Sequence, residues 1–387
     1  MLQEEMRNHL ENKILPFWEK LRDREFGGYY GYVDKELRVN READKGCILN
    51  SRILWTFSTA ARKLGQANLR EDAEAAYDFL KRFEDGEHGG VYWSVTYDGK
   101  PADTTKHTYC QAFAIYGLAA YYRLTGKQEA LEKAMTLFDV IEGRCRDQGG
   151  YLEALKADFS PESNEKLSEN GVMASRTMNT LLHVLEAYAE LYRAQADEAV
   201  CQAGRACLER FLETFYNPEK HRLEVFCDAE YRPLLDMQSY GHDIEASWLL
   251  WDAVETLLPR GEWEPYRKMC LDLAESVTRR AFTDHGLKNE YVNGTVDELR
   301  IWWVQAETML GLANAWELTG ETAWLERMRM QWASIQRMIV DRRENGEWYW
   351  SVYEDGSLTE RPMVEEWKCP YHNGRMCLKL MEFKGGK

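Results

Sequence analysis

A histidine, a glutamate and a tryptophan within residues 241–248 are of types and spacing that could do chemistry. His242, Glu245 and Trp248 are three residues apart, so on a helix they share one face. The pattern continues as a mostly apolar helix to Leu258, which indicates that this face is buried. A buried imidazole and carboxylate are costly unless they are hydrogen-bonded or used in a reaction. We therefore predict that Glu245 tunes His242, whereas Trp248 fits a cavity wall and a substrate contact equally well.

Polar and aromatic side chains also open five other predicted helices. In chain order they are Arg52, His107, Tyr109, Asn179, His183, Trp302, Trp303, Glu307, Tyr371, His372, Asn373 and Arg375, with Trp367 just before the last helix. A single histidine on an apolar helix is more often a satisfied core residue than a catalyst. Imidazoles from three different helices at equivalent depth instead favour one shared site.

The residue types at this site favour proton transfer over other chemistry. Imidazole titrates near neutral pH, and two imidazoles across a cavity could remove a proton from one face of a carbon and return it to the other. Arg52 could hold the oxyanion that forms when this carbon lies beside a carbonyl. Glycoside hydrolysis would need two carboxylates flanking the scissile bond. No H-E-x-x-H or similar spacing supports a metal site, and we predict neither a metal nor a cofactor.

Composition narrows the class of protein further. The 387 residues carry a net charge of -16, which argues against nucleic acid or an anionic membrane as partner. The 14 Trp and 21 Tyr residues suit large helix interfaces or sugar-stacking surfaces. Nine cysteines without a C-x-x-C motif indicate reduced thiols. With neither a signal peptide nor a membrane span in the pattern, we expect a soluble, cytoplasmic protein.

A phrase rich in glycine and aromatic residues recurs about every 60 to 75 residues. Its six copies are FGGYYGYVD from Phe26, HGGVYWSVTYDG from His88, QGGYLEAL from Gln148, HRLEVFCD from His221, HGLKNEYV from His285 and NGEWYWSVYEDG from Asn345. Apolar and polar residues alternate in each copy, and in most copies glycine stands where a tight turn would lie. The phrase therefore predicts a short β-hairpin.

Two helical patterns lie between successive phrases. The predicted pairs are 45–65 with 69–84, 105–126 with 127–143, 172–194 with 197–216, 240–258 with 262–282, and 300–320 with 321–341; single helices at 2–22 and about 370–384 complete the set. Helices that follow a phrase are apolar around most of their circumference, whereas those that precede one carry a single apolar stripe. This difference predicts inner and outer helices.

The fold class we expect is therefore all-α: one (α/α)6-barrel domain over residues 1–387, with about twelve helices and short β-hairpins at one mouth. A solenoid would need polar capping repeats, and the sequence has none. The long connections carry the hairpins, so the hairpin mouth is the functional face. We expect a monomer because the barrel is closed and its outer faces are charged.

At these residues the chain resembles the N-acylglucosamine 2-epimerase superfamily, and within it the cellobiose 2-epimerases. The resemblance runs from end to end and is most specific in KGCILNSRILW, GKPADTTKHTY, SYGHDIEASWLL, RIWWVQAE and WKCPYHNGRM. It implies epimerisation at C2 of the reducing-end glucose of a β-1,4-linked disaccharide, as in cellobiose to glucosyl-mannose or lactose to epilactose. The implied path is ring opening followed by a cis-enediolate.

The resemblance also implies a role for each site residue. His242 and His372 correspond to the acid/base pair at C2, His183 to the group that assists ring opening, and Arg52 to the residue that stabilises the enediolate. Glu245 and Glu307 correspond to carboxylates that hold the histidines. Trp303 and Trp367 resemble sugar-stacking residues, and Tyr109 and Asn179 match positions that hydrogen-bond substrate.

Four other functions stay open at the level of sequence. An aldose–ketose isomerase or an N-acetylglucosamine 2-epimerase would use the same barrel, and the isomerase would share the enediolate. A glycoside hydrolase on an (α/α)6 barrel would release free glucose from cellobiose. A non-catalytic sugar-binding or protein-binding module would not depend on the histidines.

Overall fold

The computed structural model of the chain describes residues 2–167 and 171–385. The helical stretches of this part are α1 (Leu2–His9, continued by the π-helical turn Leu10–Ile14 and by Leu15–Lys20), α2 (Cys47–Leu64), α3 (Ala67–Leu80), α4 (Thr108–Thr125), α5 (Gln128–Arg144), α6 (Met178–Ala194), α7 (Glu198–Arg210, continued by the π-helical turn Phe211–Phe215), α8 (Tyr240–Leu257), α9 (Glu264–Ala281), α10 (Trp302–Thr319), α11 (Thr322–Ser334, continued by the π-helical turn Ile335–Ile339) and α12 (Tyr371–Leu380). Short 3-10 turns lie at Lys81–Phe83 and Arg260–Glu262.

The even-numbered helices form a closed inner ring. Each packs on the next in chain order, and α12 returns to pack on α2. The odd-numbered helices form the outer layer: α3, α5, α7, α9 and α11 each pack on the inner helix before them, and α1 packs on α12. The prediction of an (α/α)6 barrel is confirmed.

The inner helices are buried along most of their length. In α4, every residue from 108 to 121 is buried, because the helix is enclosed by its ring neighbours and by the outer layer. Three of the short inner-to-outer turns end their helix at a left-handed glycine, which can adopt the positive φ that this cap requires. None of the helices in residues 2–167 and 171–385 is long and apolar enough to cross a membrane.

Short antiparallel strands form a belt at the mouth of the barrel that lies opposite the short inner-to-outer turns. The paired strands are Tyr32–Val33 with Val39–Asn40, Lys45–Gly46 with Ser94–Val95 and Pro101–Asp103, Arg176–Thr177 with Phe226–Cys227, Tyr216–Asn217 with Arg222–Leu223, Met237–Ser239 with Glu290–Val292 and Thr295–Asp297, Phe282–Thr283 with Gly286–Leu287, and Arg300–Ile301 with Ser351–Val352. In several units the strand entering an inner helix pairs with the hairpin of the next unit. A bridge between Val33 and Val364 joins the first hairpin to the last unit. At the phrase from Gln148 the structure has isolated antiparallel bridges, Arg146 with Tyr151 and Leu155 with Pro161, in place of the predicted paired strands. Backbone hydrogen bonds from Lys106 to Leu155 and from Thr108 to Glu153 link this unit to the one before, so the belt closes into a ring.

A buried lysine or arginine lies just before most of the inner helices. Four of these cations pair with a carboxylate: Lys45 with Asp23 at 2.6 Å, Lys106 with Asp85 at 2.9 Å, Arg176 with Asp147 at 2.6 Å, and Lys368 with Glu347 at 2.7 Å. Each cation lies two or three residues before its inner helix. Because a buried charge is tolerated only when it is paired, these bridges fix where each inner helix begins.

Candidate active site

A cavity of about 310 Å³ opens at the hairpin mouth of the barrel. It is lined by Arg52, Tyr109, Leu167, Asn179, His183, His242, Glu245, Trp302, Trp303, Trp350, Arg361, Trp367 and His372. The structure thus brings together every residue to which the resemblance assigns a role, except Glu307. Of the other residues expected at the site, Trp302 lines the cavity, whereas His107, Trp248, Tyr371, Asn373 and Arg375 do not. The N-termini of the six inner helices point to the same mouth, so their dipoles add positive potential to the cavity.

His372, on the first turn of α12, is held by a carboxylate from α10. Its Nδ1 lies 2.7 Å from Oε1 of the buried Glu307. Burial lowers the pKa of His372 well below its usual value, and the positive charges of Arg52 and Arg375 add to this effect. The contact between Nδ1 and the carboxylate leaves Nε2 of His372 free to act on a substrate.

His242, in the first turn of α8, has a hydroxyl as its partner. Its Nδ1 lies 2.8 Å from Oγ of Ser239, the residue that caps the helix. Burial lowers the pKa of His242 to about 3, and repulsion from His183 contributes. The imidazole is therefore neutral at physiological pH. The sequence reasoning did not identify Ser239, although its position just before the helix is typical of an N-cap.

Glu245 lies beside His372 and Arg375, so the prediction that it tunes His242 is wrong. Its Oε1 accepts a hydrogen bond from Nη2 of Arg375 at 2.7 Å and lies 3.8 Å from Nδ1 of His372. Helical spacing places His242 and Glu245 on one face, but it does not determine the side-chain rotamers. Burial and the neighbouring Glu307 together raise the pKa of Glu245 to about 8, although the charge of Arg375 opposes the shift.

Trp303 on α10 contacts both candidate bases. Its ring centroid is 4.8 Å from that of His242 and 5.6 Å from that of His372. Gly241 makes this approach feasible, because a Cβ at this position would lie 2.5 Å from the Trp303 ring. In the inner ring α10 is the neighbour of both α8 and α12, so the indole can reach the imidazoles of both helices.

His183, on α6, adds a third imidazole to the wall. Its Nδ1 lies 2.8 Å from Oε2 of Glu186, one turn further along the same helix. The ring packs against Tyr109 and Phe113 at centroid distances of 5.0 and 4.8 Å. Burial lowers the pKa of His183, while Glu186 opposes the shift.

Arg52 places a fixed positive charge in the cavity wall. Its Nη2 donates to the hydroxyl of Tyr109 at 2.9 Å, and its Nη1 donates to the carbonyl of Trp367 at 3.4 Å. The guanidinium lies over the rings of Phe113 and Tyr371, at 4.1 and 4.7 Å from their centroids. These contacts aim the guanidinium at the cavity, where it could hold a developing oxyanion.

Aromatic side chains form the outer part of the cavity. Trp367 contacts Tyr109 edge-on at 5.8 Å, and Arg361 lies 4.0 Å over the ring of Trp350. Oδ1 of Asn179 is buried without a hydrogen-bond partner among the described residues, so it is available to a substrate hydroxyl. Sequence reasoning used Trp350 only as part of a hairpin phrase and did not identify Arg361.

Trp248 lies outside this cavity, which corrects its expected role as a substrate contact. Its Nε1 donates to Oε2 of Glu307 at 2.8 Å, behind the carboxylate that holds His372. The residue lines a second cavity, of about 350 Å³, among the C-terminal halves of the inner helices. Trp248 therefore contacts Glu307 and does not line the cavity at the hairpin mouth.

One group of side chains has the donor types of a metal site. Ligand atoms of Glu245, Glu307 and His372 all lie within 4.8 Å of one another. Nη2 of Arg375, however, donates to both carboxylates, at 2.7 and 2.8 Å. The guanidinium thus already supplies the positive charge that a metal ion would bring to these ligands.

The fold and the site together define a class: closed (α/α)6 barrels with acid–base side chains at one mouth, suited to proton transfer on a small polar molecule. The chain belongs to the N-acylglucosamine 2-epimerase (GlcNAc 2-epimerase) family, whose model matches residues 28–373. The resemblance seen in the sequence is thereby confirmed.

Individual relatives cover nearly the whole chain. A cellobiose 2-epimerase from Eubacterium cellulosolvens is 48% identical over 399 residues, which cover 99% of this chain and 98% of the relative. A cellobiose 2-epimerase from Ruminococcus albus is 44% identical, with 98% of each chain covered. The structure of cellobiose 2-epimerase from Bacillus thermoamylovorans B4167 superposes with a TM-score of 0.95 at 43% identity, covering 98% of both chains. A D-mannose isomerase structure shares the fold, with a TM-score of 0.85 at 18% identity.

Proposed function

We propose that this chain epimerises C2 of the reducing-end glucose of β-1,4-linked disaccharides, converting cellobiose to glucosyl-mannose and lactose to epilactose. The observation that carries the proposal is the placement of His242 and His372 against Trp303 in one cavity, with Arg52 in the same wall. Relatives that are 39 to 48% identical over nearly their full length are cellobiose 2-epimerases, which supports the same substrate class.

The proposed reaction divides the work among four side chains. His183 assists opening of the sugar ring, which exposes an aldehyde at C1. One of the pair His242 and His372 removes the C2 proton, and the other returns a proton to the opposite face after the chain rotates about C2–C3. Arg52 stabilises the cis-enediolate between these steps. A carbon acid beside an aldehyde is far weaker than imidazolium, so this electrostatic stabilisation must contribute several kcal/mol.

The aromatic rim fits a second sugar. A sugar ring stacks on indole faces, and Trp303 and Trp367 both line the cavity that holds the bases. We propose that Trp303 stacks on the reacting sugar and Trp367 on the second one, with Tyr109 and Asn179 hydrogen-bonding the hydroxyls. Hydrogen-bond acceptance by Asn179 is supported by its unpartnered Oδ1.

Incubation with cellobiose in deuterated water, followed by NMR, tests the proposal. We expect glucosyl-mannose labelled with deuterium at C2. A ketose as the sole product would instead establish an aldose–ketose isomerase, and free glucose without epimerised disaccharide would establish a hydrolase. A parallel incubation with N-acetylglucosamine tests the activity after which the family is called.

We further propose that residues 1–387 act as one catalytic domain, as a cytoplasmic monomer without a metal or cofactor. The closed ring and the charged outer helices support a monomer, because a closed barrel leaves no helix of the inner ring without neighbours. Light scattering is expected to give the mass of a single chain, and full activity is expected to persist in a chelator.

A further inference from the structure

Glu186 is a buried carboxylate that touches the candidate site from behind. It lies one turn after His183 on α6, and its Oε2 is 2.8 Å from Nδ1 of that histidine. Like Trp248, it lines the second cavity, on the far side of the catalytic residues. Its side chain therefore cannot contact a sugar in the cavity at the hairpin mouth except through His183.

The partners of Glu186 keep it ionised. Tyr371 donates its hydroxyl to Oε2, and Nη1 of Arg375 donates to Oε1. Although burial disfavours its charge, Arg375 and His183 hold the pKa of Glu186 at about 2. An ionised carboxylate only accepts hydrogen bonds, so Nδ1 of His183 must carry a hydrogen. Nε2 then presents a lone pair on the side away from Glu186.

The same carboxylate is connected to the second supported histidine. Arg375, held by Glu186 through Nη1, uses Nη2 to contact Oε1 of Glu307 at 2.8 Å. That oxygen is the one that lies 2.7 Å from Nδ1 of His372. The guanidinium thus spans the carboxylates behind two imidazoles that lie on different helices.

We propose that Glu186 is a positioning residue, which holds His183 as the Nδ1–H tautomer with Nε2 toward the sugar and anchors the arginine that supports His372. The inference rests on the function proposed above. In ring opening, Nε2 of His183 takes the proton of the C1 hydroxyl as the C1–O5 bond breaks and the C1 carbonyl forms. The imidazolium then returns this proton to O5, so the step needs no other reactant. The carboxylate stabilises the transient imidazolium.

Glu186→Gln tests the proposal, because it preserves size while removing the charge. Glu190→Gln is the matched control. Glu190 lies one turn further along α6, has the same 6% exposure, lines the same second cavity and is paired with Arg123 and Arg193. It makes no hydrogen bond or ion pair with His183 in the described part of the chain. Each variant removes one buried carboxylate from α6, but only Glu186→Gln removes the carboxylate that contacts His183.

For Glu186→Gln we expect kcat on cellobiose to fall about 10- to 100-fold with KM within about 3-fold, as for other residues that orient a reacting imidazole. The limb of the pH profile that belongs to His183 should move to lower pH, because the imidazolium loses its stabilising carboxylate. Glu190→Gln should keep the wild-type kcat and pH profile. Equal losses in the two variants, or an unchanged pH profile in Glu186→Gln, would overturn the proposal.

Nitrogen-15 NMR of the histidine side chains gives a readout that does not depend on activity. The His183 signals, assigned by their absence in His183→Asn, should show Nδ1–H and unprotonated Nε2 in the wild-type protein at neutral pH. The Nε2–H tautomer would overturn the proposal even if Glu186→Gln failed to fold. Should the wild-type protein lack epimerase activity, the proposed function fails, while this tautomer still decides the role of Glu186.

Discussion

The three imidazoles of the cavity differ in what holds Nδ1. In His183 and His372, Nδ1 is hydrogen-bonded to a carboxylate, whereas in His242 it is hydrogen-bonded to the hydroxyl of Ser239. A carboxylate fixes one tautomer, but a hydroxyl can donate or accept, so His242 can change its tautomer and keep its hydrogen bond. This asymmetry suits a pair in which His372 begins as a base with a defined lone pair and His242 can take either role.

Removal of either C2 imidazole is expected to abolish most turnover. In His242→Ala or His372→Ala, kcat on cellobiose should fall at least about 100-fold, since general acid–base groups contribute this much. His285→Ala is the control, because this histidine lies in a hairpin and contacts the backbone of Glu354. Near-normal rates in either cavity variant would contradict the two-base proposal and favour a binding module.

Trp248 provides a test of support from outside the cavity. Trp248→Phe keeps an aromatic ring and removes the indole N–H that reaches Oε2 of Glu307. An unsatisfied buried acceptor costs about 1–3 kcal/mol, and part of this cost should appear as misplacement of Glu307. We expect kcat to fall about 10-fold with little change in KM, measured by steady-state kinetics on cellobiose. A large rise in KM alone would instead indicate direct contact with the sugar.

Residue types at the site were predictable, but side-chain partners were not. Histidines at helix starts stand out in an apolar sequence, and so do the motifs that carry the family resemblance. The partner of Glu245 is Arg375, 130 positions away in sequence, and no local pattern indicates this contact. Glu186 was within reach of sequence reasoning, since it lies three residues after His183 on one helix face.

At the scale of elements, two pairs of neighbouring inner helices approach each other closely at a glycine. Gly311 of α10 faces Ile244 of α8, and a Cβ at this glycine would lie 2.9 Å from the Ile244 carbonyl oxygen. Gly117 of α4 meets Ser51 of α2 in the same way, with 2.7 Å to the Ser51 carbonyl oxygen. Backbone atoms cannot rotate away as a side chain can, so these two contacts require glycine.

Gly311→Ala is expected to destabilise the protein by about 1–3 kcal/mol, the usual cost of overpacking. Gly143→Ala is the control: this glycine is in the outer helix α5, and no atom lies within 4 Å of a Cβ built there. Because alanine favours helix over glycine, the control should gain up to about 1 kcal/mol. Urea unfolding measures both, and equal effects would contradict the packing argument.

Helices and hairpins were predictable to within a few residues because their patterns are local. The inner helices are apolar all round, and the left-handed glycines at 126 and 320 end α4 and α10 next to the Thr–Gly junctions expected from the sequence. The buried pairs such as Lys45 with Asp23 escaped prediction. A charged residue in a loop is normally solvated, and only the tertiary fold encloses these.

At the scale of the whole molecule, helix α1 is in direct contact with residues of the last repeat unit. His9 of α1 accepts a hydrogen bond at Nε2 from the indole of Trp348, at 2.7 Å, and packs edge-on against Trp332 at 5.2 Å. Burial lowers the pKa of His9 to about 4. Protonation would place hydrogen on both ring nitrogens, so Nε2 could no longer accept the indole hydrogen.

His9 should make the protein sensitive to acid in a defined window. Between pH 6.5 and about 4, His9 is protonated in the unfolded chain but stays neutral in the folded protein. The free energy of unfolding therefore falls as the pH falls through this window, by about 3 kcal/mol for this histidine. His9→Gln should lose this part of the slope while remaining folded at pH 7. Urea unfolding from pH 7 to pH 4 measures it, with His285→Gln as the control. Parallel curves for wild type and His9→Gln would contradict the assignment.

The start of α1 and the residues after α12 also meet, at the mouth opposite the cavity. Nε2 of Gln3 donates to the carbonyl of Phe383 at 2.5 Å, where α1 begins and α12 has ended. A short linker could therefore join the two ends, and a new start could be cut at an exposed turn such as the one after Thr125. For protein engineering this means that affinity tags, surface anchors or fused enzymes attached at either end would leave the sugar entrance unobstructed.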